Sequence, residues 1–396
     1  MTSTSSKDFT YAMGPMKILS WPVGTWPLQK YDFFSGMRCV VSVVLLLLTL
    51  VVINTELYLD SSDSEKNLDA VVLVTCSILS IWKLVMFRVR SEGLVANFTS
   101  AVRDYNEHEG DEKRAIMRHH AYMGRVACGC VIFFSYFGST VFTAAPMLAD
   151  EEEEEEFLNA TQDTVMDYPM PSEALLNMLD PPASLYPLIY VGEYLLLLMI
   201  STGNLGSDSL FFGIIFHLCG QAEVLKLDFS KFVGDTVEST SARFNVLVAR
   251  HQHLLQLSRH LNKTISLVMV MQLFTSCLLI CTTGFQFILS LSEDNIVMVV
   301  KTFIVVITLL TQLFAYSYIG EYMKNQFEDV GYWTYCSDWY TVPRKVSLNT
   351  VFVLMRTQDP VQLKAADFFV VNMETYMSIV KTSVSYLSVL RAMVNS

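Results

Sequence analysis

Positions 40–53 read VVSVVLLLLTLVVI, with no charge, glycine or proline. Extended to 36–59, this run matches the ~20 residues a helix needs to cross a hydrocarbon core of about 30 Å. In lipid the backbone must bond to itself, so a single run of this kind dictates a helix. Six further runs follow at 69–87, 125–148, 185–218, 264–291, 296–319 and 367–394, the last the least apolar. The fold class expected is an all-α membrane protein with seven transmembrane helices. Composition agrees: 52% of the 396 residues are hydrophobic and 17% charged, where soluble domains carry about 25% charged residues. The formal charge of −12, with scattered lysines and arginines, excludes a basic nucleic-acid binder.

Positive charge sets orientation, because lysine and arginine collect in cytosolic connectors. Lys7, Lys17, Lys30 and Arg38 precede the first span. Arg88, Arg90, Arg103, Lys113, Arg114, Arg118 and Arg125 lie between the second and third. Lys226, Lys231, Arg243, Arg250, Arg259 and Lys263 separate the fourth from the fifth, and Lys324, Arg344, Lys345, Arg356 and Lys364 precede the seventh. The intervening connectors are acidic, and residues 149–186 hold no lysine or arginine. The N-terminus is expected in the cytosol and the C-terminus outside, the reverse of a G-protein-coupled receptor. Neither an Asp-Arg-Tyr after the third span nor an Asn-Pro-x-x-Tyr in the seventh is found.

The domain division follows. Residues 1–35 form a cytosolic segment without the apolar stretch of a cleavable signal peptide. Residues 36–218 hold spans one to four, with an acidic external loop at 149–186. Residues 219–263 form a cytosolic helical connector, 264–319 spans five and six, 320–366 a cytosolic anchor segment and 367–396 the last helix. Spaced leucines and Phe244 make the connector an amphipathic helix running into span five. Span six continues through Tyr322, Phe327 and Val330, and a short apolar helix sits between Pro343 and Pro360. Of three glycosylation sequons, at Asn97, Asn159 and Asn262, only Asn159 is expected outside. No internal repeat is visible, which disfavours an inverted-repeat transporter.

Enzymatic chemistry finds no support: HExxH, a glycine-rich phosphate loop and GxSxG are absent, and no catalytic residue, metal or cofactor is expected. The glutamates at 151–156 read as a solvated loop. Ionisable groups inside spans are costly and mark function; here they are Lys83, Glu193, Lys301, Glu374 and Lys381. Ser378, Thr382, Ser385, Val389 and Met393 share one stripe of the last helix. The stripe fits equally a pore lining with a hydrophobic constriction or small residues packed against neighbours. Aromatics and methionine in the outer halves of spans three to six, namely Phe134, Tyr136, Phe137, Phe142, Tyr190, Tyr194, Met199 and Phe303, suit a small apolar ligand.

The last quarter of the chain resembles the insect odorant receptor family. The residues that carry the resemblance are Trp339-Tyr340, Pro343-Arg344-Lys345, Met355-Arg356-x-Gln358-x-Pro360, Phe368, Tyr376, Val380-Lys381-x-Ser383-x-Ser385-Tyr386 and Leu390. Val384 stands where the family commonly has tyrosine, and a gate-region glutamine of the family falls on Ala392. The Thr-Tyr then Gln-Phe signature of gustatory receptors is not found; a seven-helix G-protein-coupled or gustatory-type chemoreceptor is the alternative. The resemblance implies a ligand-gated non-selective cation channel in a sensory-neuron plasma membrane, passing monovalent and divalent cations. It implies a tuning subunit in a heterotetramer with the shared co-receptor, which has a longer connector between spans four and five. It also implies a small volatile ligand in the outer half of the bundle. The pore would run along Thr382 and Ser385 with a gate at Val389 and Met393. The subunit anchor would include Trp339, Tyr340, Leu348 and Phe352.

Overall fold

The computed structural model describes residues 7–59, 64–107, 110–156, 168–292, 296–366 and 368–394, without the side chains of 146–156, 183 and 390–394. Its helices are α1 (Lys7–Ser20), α2 (Phe33–Leu59), α3 (Ser64–Val89), α4 (Ser91–Glu107), α5 (Asp111–Glu156), α6 (Glu173–Leu179), α7 (Tyr186–Ser230), α8 (Val237–Ser292), α9 (Ile296–Tyr335), α10 (Arg344–Thr357) and α11 (Met373–Val394). A two-stranded hairpin, β1 (Lys364–Ala365) and β2 (Phe369–Val370), precedes α11. Among the described residues six helices are long and apolar enough to cross a membrane: α2, α3, α5, α7, α8 and α9.

The helix α2 shows what such a helix does with its faces. Ser35, Cys39, Ser42, Leu46, Thr49, Ile53 and Glu56 are buried, at alternating steps of four and three. The aliphatic side chains Val40, Val44, Leu47, Leu48 and Val51 point outward. The small polar groups turn into the bundle together with Leu46 and Ile53, and the remaining branched side chains point out of it.

The centre of the bundle is α7, buried on every side from Leu205 to Ala222. Close approach at glycine lets α1 lie along it. A Cβ on Gly213 would stand 2.8 Å from Met16 Cε, and one on Gly206 would stand 3.3 Å from the Leu19 carbonyl oxygen. Phe9, Ala12, Met13 and Met16 of α1 are buried as a result. At 1.5 Å per residue the 56 residues of α8 run to about 84 Å, well past a hydrocarbon core of about 30 Å. Its first half packs with the end of α9 and with α10, through Phe244, Leu254, Phe327, Val330 and Val353. The bundle therefore has an extension end, where these helices overrun, and a loop end, where residues 168–185, the end of α8 and the start of α9 lie.

Two expectations change. The last helix starts at Met373 rather than 367, because Lys364–Ala365 and Phe369–Val370 pair as the hairpin strands just before it. The hairpin is pinned to α8 by Lys364 N donating to Asn262 Oδ1 at 2.9 Å and Ala366 N to Ser266 Oγ at 2.8 Å. Asn372 then caps α11 by accepting from Thr375 N at 2.8 Å. Residues 151–156 are the end of α5, not loop, glutamate being a good helix former. Within the segment 1–35, α1 packs into the core.

Candidate functional site

Five helices, α3, α5, α7, α8 and α9, surround a cavity of about 130 Å³ toward the loop end. Leu73, Phe142, Leu197, Leu279 and Val305 give it apolar walls. Its polar groups are mostly satisfied within the wall. Ser139 donates to the Ser135 carbonyl at 3.0 Å and meets Ser201 at 2.7 Å. Thr308 donates to the carbonyls of Ile304 and Phe134, at 2.8 and 3.2 Å. An enclosure with apolar walls and few polar points is the usual form of a small-molecule site.

A buried charge cluster closes each end. Toward the extension end Lys83 Nζ lies 2.6 Å from Asp208 Oδ1, with side chains 0% and 2% exposed. Gln312 Nε2 donates to Asp208 Oδ2 at 2.6 Å, and the Tyr316 hydroxyl donates to Asp208 Oδ1. Toward the loop end Lys301 pairs with Asp69, and Gln286 Nε2 donates to the same carboxylate at 2.7 Å. Lys301 Nζ also sits 4.5 Å from the centre of the Phe142 ring. A charge removed from water survives only when paired and hydrogen-bonded, and both clusters meet that condition.

The loop end is capped by residues 168–185. Glu56 accepts from the backbone N–H groups of Ala174 and Leu175 at 2.9 and 3.0 Å. A carboxylate at these first N–H groups of α6 is favourably placed against the helix dipole. Glu193 accepts from Met170 N at 3.1 Å and Ser172 Oγ at 2.5 Å, and Lys66 pairs with Glu173 at 2.7 Å. These ties hold Met170 buried in one cluster with Phe142, Leu197 and Ile200.

Of the eight aromatic and methionine residues singled out in the sequence, Phe142 stands in the cavity wall. Three tyrosines join α5 to α7 instead: Tyr136 bonds Thr202 at 2.9 Å, Tyr190 donates to the Thr143 carbonyl at 2.6 Å, and Tyr194 meets Thr140 at 3.2 Å. Phe134 is half-buried, and its carbonyl accepts from Thr308. Met199 packs beside Leu197 and Ile200. Phe137 stacks on Phe133, and Phe303 lies against Phe287; both Phe137 and Phe303 are exposed. Sequence reading missed Asp208, Asp69 and Asn204. The signal available was a polar stripe on each of two helices, Ser201, Asn204 and Asp208 on α7 and Thr308, Gln312 and Tyr316 on α9.

The helix α11 is held on one side only. The Ser383 carbonyl accepts from Cys281 Sγ at 3.7 Å, and Leu387 reaches the surface of α8 at Gly284. Ser378, Thr382, Ser385 and Val389 lie exposed away from that contact, and the side chain of Met393 is outside the described residues. Beyond the membrane-length part of the bundle, Tyr340, Leu348 and Phe352 are exposed, while Trp339 is half-buried against Tyr335. A groove of about 590 Å³ between α8 and α10 contains Phe352, His251 and Arg356. Burial and then the Arg356 charge push His251 down to about 4. Asn159 lies outside the described residues. Asn97 is buried and donates to the carbonyls of Gly93 and Leu257, and Asn262 accepts from the hairpin.

A helical bundle with six membrane-length helices among the described residues fits a multi-pass membrane protein. The sequence profile of the 7tm odorant receptor family matches residues 63–384. The chain belongs to the insect odorant receptor family, a family of receptors and not of enzymes. It is 24% identical to odorant receptor 47a of Drosophila melanogaster over 191 residues, 47% of this chain and 49% of that protein. It is 32% identical to odorant receptor 9a of the same species over 213 residues, 52% of each. The chain thus spans about half the length of the curated relatives it matches. The structure of the insect olfactory receptor OR5 from Machilis hrabei in complex with eugenol superposes with a TM-score of 0.76 at 16% identity, covering 97% of both chains. That likeness is one of fold.

Proposed function

We propose that this chain is the ligand-binding subunit of an odour-gated, non-selective cation channel that passes monovalent and divalent cations. The single observation behind the reading is the cavity, lined by five helices and sharing α8 with the docking face of α11. A small volatile in the cavity favours the arrangement of α8 and α9 in which α11 moves, through its differential affinity for the open state. The exposed stripe Thr382, Ser385 and Val389, continued by Met393, lines the pore, with the gate at the last two. The loop end faces outside with Asn159 glycosylated, the N-terminus is cytosolic, and α11 is the seventh span. Residues 1–35, 219–263 and 320–366 lie in the cytosol. There Trp339, Tyr340, Leu348 and Phe352 belong to a subunit anchor that joins this chain to the odorant co-receptor in a heterotetramer of the plasma membrane. Phe142 contacts ligand directly; Phe134, Tyr136, Tyr190, Tyr194 and Met199 shape the wall from behind, and Phe137 and Phe303 border it from the lipid side. The eugenol bound by the Machilis receptor supports a small organic ligand.

Whole-cell current in cells expressing the chain with and without the co-receptor, across a panel of volatiles, tests this. Odour-evoked cation current only with the co-receptor is the expected result. Saturable uptake without channel conductance, or an unglycosylated Asn159 at the cell surface, sinks the respective part of the reading.

A further inference from the structure

We infer that a basic pocket at the membrane edge, where α3, α8 and the hairpin before α11 meet, binds the multiply phosphorylated headgroup of a phosphoinositide lipid. The choice of a cytosolic-leaflet lipid rests on the proposed orientation, which puts the extension end in the cytosol.

The pocket has a volume of about 490 Å³. Its lining brings together Arg90, just past the end of α3, Arg259 and Lys263, one turn apart on α8, Arg356 in the last turn of α10, and Lys364 of β1. Asp359 is the one acid among the residues that line it. Five positive charges thus face one negative charge, in a chain whose formal charge is −12. Asp359 is already engaged, since Arg356 Nη1 lies 3.2 Å from its carboxylate and donates to its carbonyl at 2.5 Å. Among the described residues, Arg90, Arg259, Lys263 and Lys364 pair with no carboxylate. Other cations of the extension end do find acids: Lys113 pairs with Asp228, Lys231 with Glu112, and Arg114 and Arg118 with Asp8. Arg90, Arg259 and Lys263 are exposed, so an anion can reach them from outside.

Depth sets the pocket at headgroup level. Residues 264–291, immediately after Lys263, carry no charge, and the membrane-length helix α3 ends at Val89, next to Arg90. Basic residues at the edge of a span ordinarily reach the interface one by one. Here tertiary structure gathers them into one concavity, because Lys364 N and Ala366 N bond to Asn262 and Ser266 and hold the hairpin against α8. Basic pockets between membrane helices on the cytosolic side bind inositol phosphate headgroups. A phosphodiester alone carries one charge and leaves most of these cations unmatched, whereas phosphate groups on an inositol ring add about −1.5 to −2 each. An anion held there ties α3 and α8 to the hairpin at the base of α11.

The test is direct binding to the full chain purified in detergent. A fluorescent dioctanoyl phosphatidylinositol 4,5-bisphosphate is titrated by anisotropy. The expected result is saturable binding that the unlabelled lipid displaces and that dioctanoyl phosphatidylserine at equal concentration does not. Arg259→Gln with Lys263→Gln should raise Kd about 25-fold, at about fivefold for each charge removed, and Lys364→Gln alone about fivefold. Arg243→Gln, which removes an exposed cation of α8 outside the pocket, should change Kd less than twofold. Arg259 and Lys263 lie at the surface, so their substitution leaves the fold in place; thermal unfolding of each variant checks this. Displacement by phosphatidylserine as effective as by the phosphoinositide overturns the inference, as does an equal effect of Arg243→Gln and Lys364→Gln, because either result means attraction to any anionic surface. Inositol 1,4,5-trisphosphate binding as tightly as the lipid overturns the lipid assignment in favour of a soluble phosphate. A folded chain without saturable binding also overturns it. The readout is binding rather than current, so this inference and the channel reading fail separately.

Discussion

Both α7 and α11 are apolar helices seeded with polar residues, and they spend them in opposite ways. In α7 the charged and most of the polar groups turn inward, and several find partners in neighbouring helices. Asp208 receives Lys83, Gln312 and Tyr316, His217 Nε2 bonds Asp104 at 3.1 Å, and Arg250 donates to Gln221. In α11 only Ser383 is buried among the described hydroxyls, while Thr382, Ser385 and Ser388 are exposed. The difference follows from position. Helices pack around α7 on every side, whereas α11 touches α8 and α9 along one face. A polar residue in a membrane helix therefore says that it does not face lipid, and only its surroundings say whether it faces protein or water.

The largest effect that could break this contrast is at Asp208. Asp208→Leu leaves the Lys83 ammonium buried without its counter-charge, at a cost of about 3–5 kcal/mol. That is a large part of the ~5–15 kcal/mol by which folded proteins are held. Surface labelling should fall to near background. The double variant Lys83→Met with Asp208→Leu should recover much of it, since exchanging a whole buried pair for apolar side chains is often close to neutral. Full surface expression of the single variant would mean that α7 is not the closed core described above.

A middle-sized effect is expected where α11 begins. A Cβ on Gly320 of α9 would overlap the Val371 carbonyl oxygen, which is backbone and cannot rotate aside. Gly320→Ala should cost about 1–3 kcal/mol through overpacking and speed proteolysis of the hairpin that leads into α11. Gly284→Ala serves as its control, because that Cβ would meet only Leu387 Cδ2 at 3.4 Å, an ordinary contact. Equal behaviour of the two variants would show that α11 is not fastened at its base.

The same contrast explains what could be read from the sequence. Six of the seven expected membrane-length runs, the continuity of the connector with span five in α8 and the short helix after Pro343 were legible, because each rests on local periodicity. Family membership was legible from seventeen residues in the last quarter of the chain. The helix α1 was not, since Phe9, Met13 and Met16 are interleaved with Lys7, Asp8, Pro15 and Lys17, and its burial depends on glycines about 200 residues away. Pairing Lys83 with Asp208, 125 positions apart, is likewise a product of the fold. The cavity wall was partly misjudged for a reason peculiar to membranes. Hydrophobicity marks the lipid face as strongly as the core, so Phe137 and Phe303 looked like lining and turned outward. The polar stripes of α7 and α9 were the better guide, because lipid excludes them.

The smallest effect on folding, and the sharpest test of the contrast, is at Val389. Its side chain is 55% exposed on the face of α11 away from α8. Val389→Ser should change stability by no more than about 0.5 kcal/mol, and its surface level should match the unsubstituted chain. Ser383→Leu should lower that level, because Ser383 sits against Cys277 and Cys281 of α8. Yet Val389→Ser should raise the current that flows without odorant, since a narrow apolar constriction closes by excluding water and a hydroxyl there readmits it. A rise in basal current at constant surface level places the stripe in water. No rise at constant surface level places it against lipid or another subunit. A loss of surface protein as deep as that of Asp208→Leu would make α11 a packed helix like α7, and the opposition between the two would collapse.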